Sequence, residues 1–145
     1  MDADTDLAGA LLRLTLAVQA RYHDVSRQFD LTSQQALMLC VLLERPHGMT
    51  DLAARIRSER TALTGLVDRA QLRGLVTRTP DPRDRRATQI ELTPAGRDLA
   101  DSFLKAMTST LTEPAARLPA RTQQSLRSAL PAAATAYWDY WDQYV

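Results

Sequence analysis

Residues 52–97, LAARIRSERTALTGLVDRAQLRGLVTRTPDPRDRRATQIELTPAGR, decide the fold. Just before them, Thr50 is placed to cap a helix from Asp51 to about Arg57, with Leu52, Ala53 and Ile56 inward. Ser58 is placed to cap a second helix, Glu59 to about Arg73, whose inner face is Leu63, Leu66, Val67 and Ala70. Gly74 falls where a left-handed C-cap is expected. Two helices joined by about three residues, the second closing on a glycine, form a helix-turn-helix pattern. Leu75–Thr79 then reads as a strand, Pro80–Arg86 as a charged loop, and Ala87–Leu92 as a second strand with Ile90 and Leu92 on one side. The two strands and their loop make a hairpin. Thr93-Pro94 supplies an N-cap followed by proline at the first helical position, a strong helix start.

Outward from this segment the chain is helical. Leu7, Leu11, Leu14, Val18, Tyr22, Val25 and Phe29 recur at steps of three and four, the apolar stripe of one long helix. Thr32 or Ser33 can cap the next helix, whose run QQALMLCVLLE (34–44) is apolar almost all round and so is expected to be buried on most sides. Pro46, His47 and Gly48 mark a break. A helix from Ala95 to about Thr112 should end in a break marked by Glu113-Pro114 and Leu118-Pro119, and a final helix, about Ala120 to Tyr144, should be kinked or interrupted by Pro131. The fold class is therefore mainly α with a small β-hairpin.

The chain has 145 residues, 45% of them apolar and 24% charged, enough for one domain with a real core. The single cysteine, Cys40, excludes an internal disulfide framework. No apolar run approaches the ~20 residues that span a bilayer, and the acidic start MDADTDLAG lacks the basic opening of a secretory leader. The expected compartment is the cytoplasm, with no membrane partner. No Ser/His/Asp set, glycine-rich phosphate loop or metal-ligand spacing stands out, so neither an enzyme nor a bound metal or other cofactor is expected. His23, His47 and Cys40 are too scattered for a metal site.

Charge is unevenly distributed. The net charge is +1, yet residues 55–97 hold ten arginines against five acids. A basic middle between acidic ends points to a polyanion-facing surface. On the second helix Arg60, Thr61, Thr64, Asp68 and Gln71 face outward, and the first three lie in the two turns able to reach base edges in a major groove. The N-terminus beside Ser58 offers free backbone N–H groups to a phosphate. Arg83, Arg85 and Arg86 at the hairpin tip can enter a minor groove or neutralise phosphates, although Pro, Asp and Arg also suit an ordinary solvated turn.

The same stretch resembles the winged helix-turn-helix of the MarR (multiple antibiotic resistance regulator) family. The most telling parts are GLV followed by Arg78 after the second helix and DPRDRRATQIELTPAGR through the wing. The resemblance is clear from about Leu31 to Leu99. It implies a homodimeric transcriptional regulator, typically a repressor of a palindromic operator in double-stranded DNA, relieved by a small aromatic or phenolic ligand. It implies a DNA-binding lobe at about 32–97, with residues 5–30 and 98–145 forming the dimerisation region. Carried over residue by residue, Arg60, Thr61 and Thr64 take the base-reading positions, and Asp84 and Arg86 match the wing motif, Arg86 entering the minor groove with its guanidinium held by Asp84. Ala70 departs from the larger aliphatic usual there, so that either the helix packs more loosely or Leu72 fills the space. Candidates for the ligand are Arg13, Tyr22, His23 and Arg27, although Tyr22 also fits a core position. Cys40, inside LMLCVLL, is expected to have a raised pKa and low reactivity. The aromatic cluster Tyr137, Trp138, Tyr140, Trp141 and Tyr144 is expected to form the dimer. The alternative function is a non-specific architectural DNA-binding protein, recognised by a large salt effect and little sequence preference.

Overall fold

The computed structural model describes residues 3–84 and 86–142. Its elements run α1 (Ala3–Gln28), α2 (Ser33–Glu44), β1 (His47–Gly48), α3 (Met49–Arg55), α4 (Arg60–Leu72), β2 (Val76–Pro80), β3 (Thr88–Leu92), α5 (Pro94–Ala116) and α6 (Ala120–Asp142). Residues up to Thr108 form one compact unit and those from Ser109 a second.

The first unit is built around α2. Ala36, Met38, Leu39 and Leu42 are almost completely buried, and Leu52, Ile56, Leu63, Val67, Ile90 and Phe103 close over them. Thr32 begins α2 with a reciprocal capping box: its Oγ1 accepts the Gln35 N–H at 3.1 Å, and Gln35 Oε1 accepts the Thr32 N–H at 2.9 Å. Of the α1 stripe, Val25 is buried, while Tyr22 and Phe29 meet Phe103 edge-on at 5.3 and 6.0 Å. The earlier part stays in solvent: Leu7 is 59% exposed and Leu14 50%.

The helix-turn-helix and hairpin form as expected, with different caps. Gly48, not Thr50, occupies the N-cap of α3, and Glu59, not Ser58, that of α4; neither makes a side-chain cap bond. The cause is the turn between the helices. Ser58 N–H donates to Ala53 O at 3.0 Å and Arg57 N–H to Ala54 O at 3.2 Å, with Arg57 left-handed at φ 51°. This Schellman closure places Ser58 one residue ahead of the cap, and its hydroxyl donates to Glu59 O. Gly74 (φ 69°) ends α4 the same way, through Leu75 N–H to Ala70 O at 2.9 Å. Ala70 is buried, but Leu72 is 88% exposed and does not fill the space beside it.

The hairpin pairs Val76 with Leu92, Arg78 with Ile90 and Pro80 with Thr88. A third strand joins it: the break at Pro46–Gly48 contains β1, which pairs His47 with Ile90 and Gly48 with Gln89, in the order β1-β3-β2. Thr93 caps α5 as expected, its Oγ1 accepting the Gly96 N–H at 3.0 Å.

The break falls at Leu118-Pro119, with α6 starting at Ala120 as expected, but Glu113-Pro114 does not end α5. α5 runs through Pro114 to Ala116, and α6 continues through Pro131 without interruption. Each proline removes one N–H from a ladder otherwise intact, and Pro114 lies in the last turn, where little helix remains to be disturbed. The break comes after Ala116, where Gln123 Nε2 donates to the end carbonyls Ala116 O (3.1 Å) and Leu118 O (2.8 Å). No helix among the described residues is long and apolar enough to cross a membrane.

Candidate nucleic-acid interface

The inward face of α4 leaves a ridge at Arg60, Thr61, Thr64, Asp68 and Gln71, all exposed. Thr64 Oγ1 donates back to Arg60 O at 3.0 Å. Arg60 makes no ion pair among the described residues and remains available to a groove. The second half of the ridge is occupied. Arg78 of β2 reaches across to α4, where Nη2 donates to Asp68 Oδ1 at 2.6 Å and Nη1 to Gln71 Oε1. Sequence reading placed Arg78 in a motif but did not foresee this contact. Its only signal was the i,i+3 pair Asp68/Gln71 on an outward face, which names an acceptor site but not the donor.

The wing loop is shaped by two aspartates. Asp81 Oδ1 accepts the Arg83 N–H at 2.8 Å and Asp84 Oδ1 the Arg86 N–H at 2.9 Å. Asp84 thus holds Arg86 by its backbone, not by the expected guanidinium pair. In a tight turn the amide two residues on is the nearest donor to an Asp carboxylate. Arg83, Asp84 and Arg86 are exposed, and Arg85 lies outside the described residues.

At the root of the wing sits a network that sequence reading also missed. His47, wholly buried, shares a 2.6 Å hydrogen bond with Asp51 Oδ2 through Nδ1. Arg45 Nη2 donates to the same oxygen at 2.9 Å, and Arg55 Nε to Oδ1 at 3.3 Å. The His47 bond, aided by Arg45, holds the Asp51 carboxyl below its ordinary range, against an opposing effect of burial. No group of His, Cys, Asp and Glu among the described residues is arranged to hold a metal.

A probe-like helix with a free first half and an arginine-bearing wing on one compact unit is a winged helix-turn-helix. A family model described as MarR family matches residues 29–87. Over that segment the chain is similar to MarR family transcriptional regulators. It is 39% identical over 78 residues to the HTH-type transcriptional repressor NicR of Pseudomonas putida, covering 52% of this chain and 48% of the relative. It is 34% identical over 91 residues to the homoprotocatechuate degradative operon repressor of Escherichia coli, covering 62% of each. The aligned part spans about half to three fifths of the length of these relatives. Among solved structures, RV1404 from Mycobacterium tuberculosis superposes with a TM-score of 0.81 at 24% identity, over 94% of this chain and 95% of that one. At that identity the match bears on the fold alone.

The ligand candidates are not gathered in one place within the chain. Arg13 and Tyr22 are nine residues apart on α1, roughly 180° around the helix and ~13 Å along it. Arg13, His23 and Arg27 are exposed on one side, while Tyr22 turns inward against Phe103. Burial, with Cys40 nearby, raises the Tyr22 pKa well above the ordinary phenol value, and the Tyr22 hydroxyl is buried without a hydrogen-bond partner. Cys40 is half-buried, and its thiol is pushed up to about 11 by burial. Tyr137, Trp138 and Tyr140 are each more than half exposed; the Trp141 side chain and Tyr144 lie outside the described residues.

Proposed function

We propose that the protein is a homodimeric, sequence-specific repressor that reads a palindromic operator with Arg60, Thr61 and Thr64 of α4 and holds the flanking minor groove with the wing arginines. The observation that carries this is the free first half of the α4 ridge, with Arg60 unpaired beside two threonines, on the same unit as a loop bearing Arg83 and Arg86. An Arg fork matches guanine O6 and N7, and a threonine methyl matches thymine, so this ridge has the chemistry of base readout. The α4 N-terminus supplies N–H groups for phosphate, with the Ser58 hydroxyl beside them. The names of the two relatives, both repressors, support the same direction of control.

A second copy covers the exposed leucines of α1 and the aromatics of α6 in this reading. Leu7, Leu12, Leu14 and Leu16 are each at least half exposed, more apolar surface than one helix ordinarily leaves in water. The ligand is an aromatic acid. Homoprotocatechuate, in whose degradative operon one relative is named repressor, is a phenolic carboxylate, and the exposed His23 and Arg27 suit such a group. Any relief of repression requires the ligand to favour a dimer spacing that misfits the operator.

Selection of duplexes from a random pool tests the reading. The expected product is a two-fold-symmetric sequence with half-sites about one helical turn (~34 Å) apart. Arg86→Ala should weaken its binding at physiological salt. Enrichment of no sequence, with steeply salt-dependent binding to every duplex, would replace the repressor by an architectural binder.

A further inference from the structure

Ile90 of β3 is fully buried, and Gln89 beside it faces the other way, because neighbours along a strand point to opposite faces of the sheet. On that outer face Gln89 is paired with Gly48 of β1 on one side and Thr79 of β2 on the other. A cleft of about 510 Å³ lies there. Gly48 and Gln89 form its floor, Arg45 at the end of α2 one wall, and Asp81 and Arg83 of the wing loop the other.

Its polar groups converge from separate segments and are largely unspent. Arg45 is held in place, Nη1 donating to Pro46 O at 3.1 Å and Nη2 to Asp51 Oδ2 at 2.9 Å, while its Nε has no acceptor among the described residues. The exposed Arg83 guanidinium makes no bond among the described residues. Asp81 Oδ1 accepts the Arg83 N–H at 2.8 Å, and its Oδ2 takes no bond among the described residues. Gly48 leaves room: a Cβ built there meets nothing within 4 Å, although its φ of −66° and ψ of 157° suit any residue.

We propose that this cleft binds a small hydroxy acid, separately from the α1 candidates, and that its occupation takes Arg83 away from DNA. A carboxylate fits between the fixed Arg45 and the movable Arg83, and a hydroxyl donates to Asp81 Oδ2. Asp81 decides the class. A DNA phosphodiester has no hydrogen to donate, so it would leave that carboxylate facing another anion, whereas a hydroxy acid brings charge and donor together. The volume lies in the range of small-molecule sites, ~300–1,000 Å³. Arg83 cannot serve the cleft and a phosphate at once, so acid and DNA oppose each other's binding. That opposition, though not the site itself, rests on the assignment of the wing to DNA made above.

The test uses the full chain, isotope-labelled at its amide nitrogens for NMR, with L-malate and succinate, which differ by one hydroxyl, as probes. Malate should shift the amide signals of Gly48, Arg83 and Gln89 with a Kd on the order of 1 mM. Succinate and the Arg45→Gln chain should each bind about tenfold more weakly. Gly48→Leu, which fills the floor and keeps both arginines, should abolish binding with the rest of its spectrum unchanged. On a duplex recovered by the wild-type chain from a random pool, at constant ionic strength, saturating malate should weaken DNA binding about fivefold. Gly48→Leu should bind that duplex as wild type does and ignore malate. The site is overturned if those amides stay still at about ten times the expected constant, if succinate equals malate, or if Gly48→Leu still binds malate. It is overturned too if Arg45→Gln, without acid, lowers the salt slope by about one phosphate contact, since Arg45 then belongs to DNA. If malate fills the cleft and DNA affinity is unchanged, the opposition fails. If the pool yields no preferred duplex, the wing assignment fails while the amide shifts still decide the site.

Discussion

Gly96 holds the start of α5 against the start of β2, and Gly96→Ala should break that seam. A methyl built on Gly96 lies 1.8 Å from Leu75 O and 2.8 Å from its carbonyl carbon. Both are main-chain atoms, so no rotamer change relieves the overlap. Restoring an ordinary carbon–oxygen contact parts the two backbones by about 1.5 Å. Two hydrogen bonds span this seam: Thr93 N–H to Leu75 O at 3.1 Å and Thr93 Oγ1 to Gly74 O at 2.6 Å. Losing both costs about 1 kcal/mol each, and overpacking adds ~1–3 kcal/mol. Alanine returns about 1 kcal/mol of helix propensity. The balance is a destabilisation of ~2–4 kcal/mol, read as a lower urea midpoint with unchanged slope. Gly65→Ala provides the contrast in the same assay. Its methyl meets only Arg69 Nη1, at 3.3 Å, the movable end of a long side chain. There propensity should prevail, with a gain of ~0.5–1 kcal/mol. If Gly96→Ala were as stable as wild type, or if both variants shifted in the same direction, the close approach of α5 to Leu75 would not be the constraint on residue 96.

Arg60→Ala should relax base preference at one operator position by roughly 1–3 kcal/mol; a repeat of the pool selection with an identical sequence profile would reduce Arg60 to a phosphate contact. Removal of the chain from Tyr137 onward should give monomers or aggregates on sizing chromatography, and an intact dimer would place the interface elsewhere. With its thiol pushed from an ordinary 9.0 up to about 11, Cys40 should alkylate at neutral pH about a hundredfold more slowly than a free thiol; iodoacetamide labelling followed by mass spectrometry reads this, and unfolding in urea should restore the ordinary rate. Asp51 has a folded pKa below its unfolded value, so its contribution to stability is present above about pH 4 and lost as pH falls through the lower, folded value. Asp51→Asn should remove that part of the acid-unfolding curve, and superimposable acid limbs for the two proteins would contradict the His47 and Arg45 contacts.

What was legible in the sequence was what short-range geometry decides. The inner face of α4 follows from the 3.6-residue period, Gly74 from the need for a left-handed closure, and the α5 start from Thr93-Pro94. The misplaced caps have a local cause too, but a subtler one. Arg57 takes the left-handed position without being glycine, at a cost of about 1 kcal/mol, and so displaces Ser58 from a cap it suits by type. β1 was invisible because two residues carry no alternation. The contacts of His47 and Arg78 were missed because neither has a partner within its own element's period. Asp51 joins His47 to α3, and Asp68 lies ten residues from Arg78 on another element. Clamps of this kind become visible only when strand register is known, since it is the shared pairing with Ile90 that aligns them.

The α1 stripe differs from these cases, because its periodicity was read correctly while its first half is left uncovered within the chain. Leu7, Leu11 and Leu14 lie within about 60° of one another around the helix, while Leu12 and Leu16 lie on nearly the opposite side. A helix apolar on two opposite sides belongs in an interior flanked on both. Yet Leu7, Leu12, Leu14 and Leu16 are between 50% and 61% exposed in the isolated chain. Fully burying a leucine contributes ~1.5–3 kcal/mol, so four of them half-covered represent several kcal/mol available to whatever covers them. In the proposed dimer a second copy of the same chain is that partner, and α1 carries Leu7–Leu16 at one end and the exposed His23 and Arg27 towards the other. The surface that would join the protomers and the groups that would hold an anionic ligand are thus on one rigid rod. Substituting Leu12 and Leu16 together by glutamine should then shift the dimer equilibrium towards monomer and weaken operator binding in step, whereas lost operator affinity with an unchanged dimer constant would separate the two and place the dimer seam on other elements.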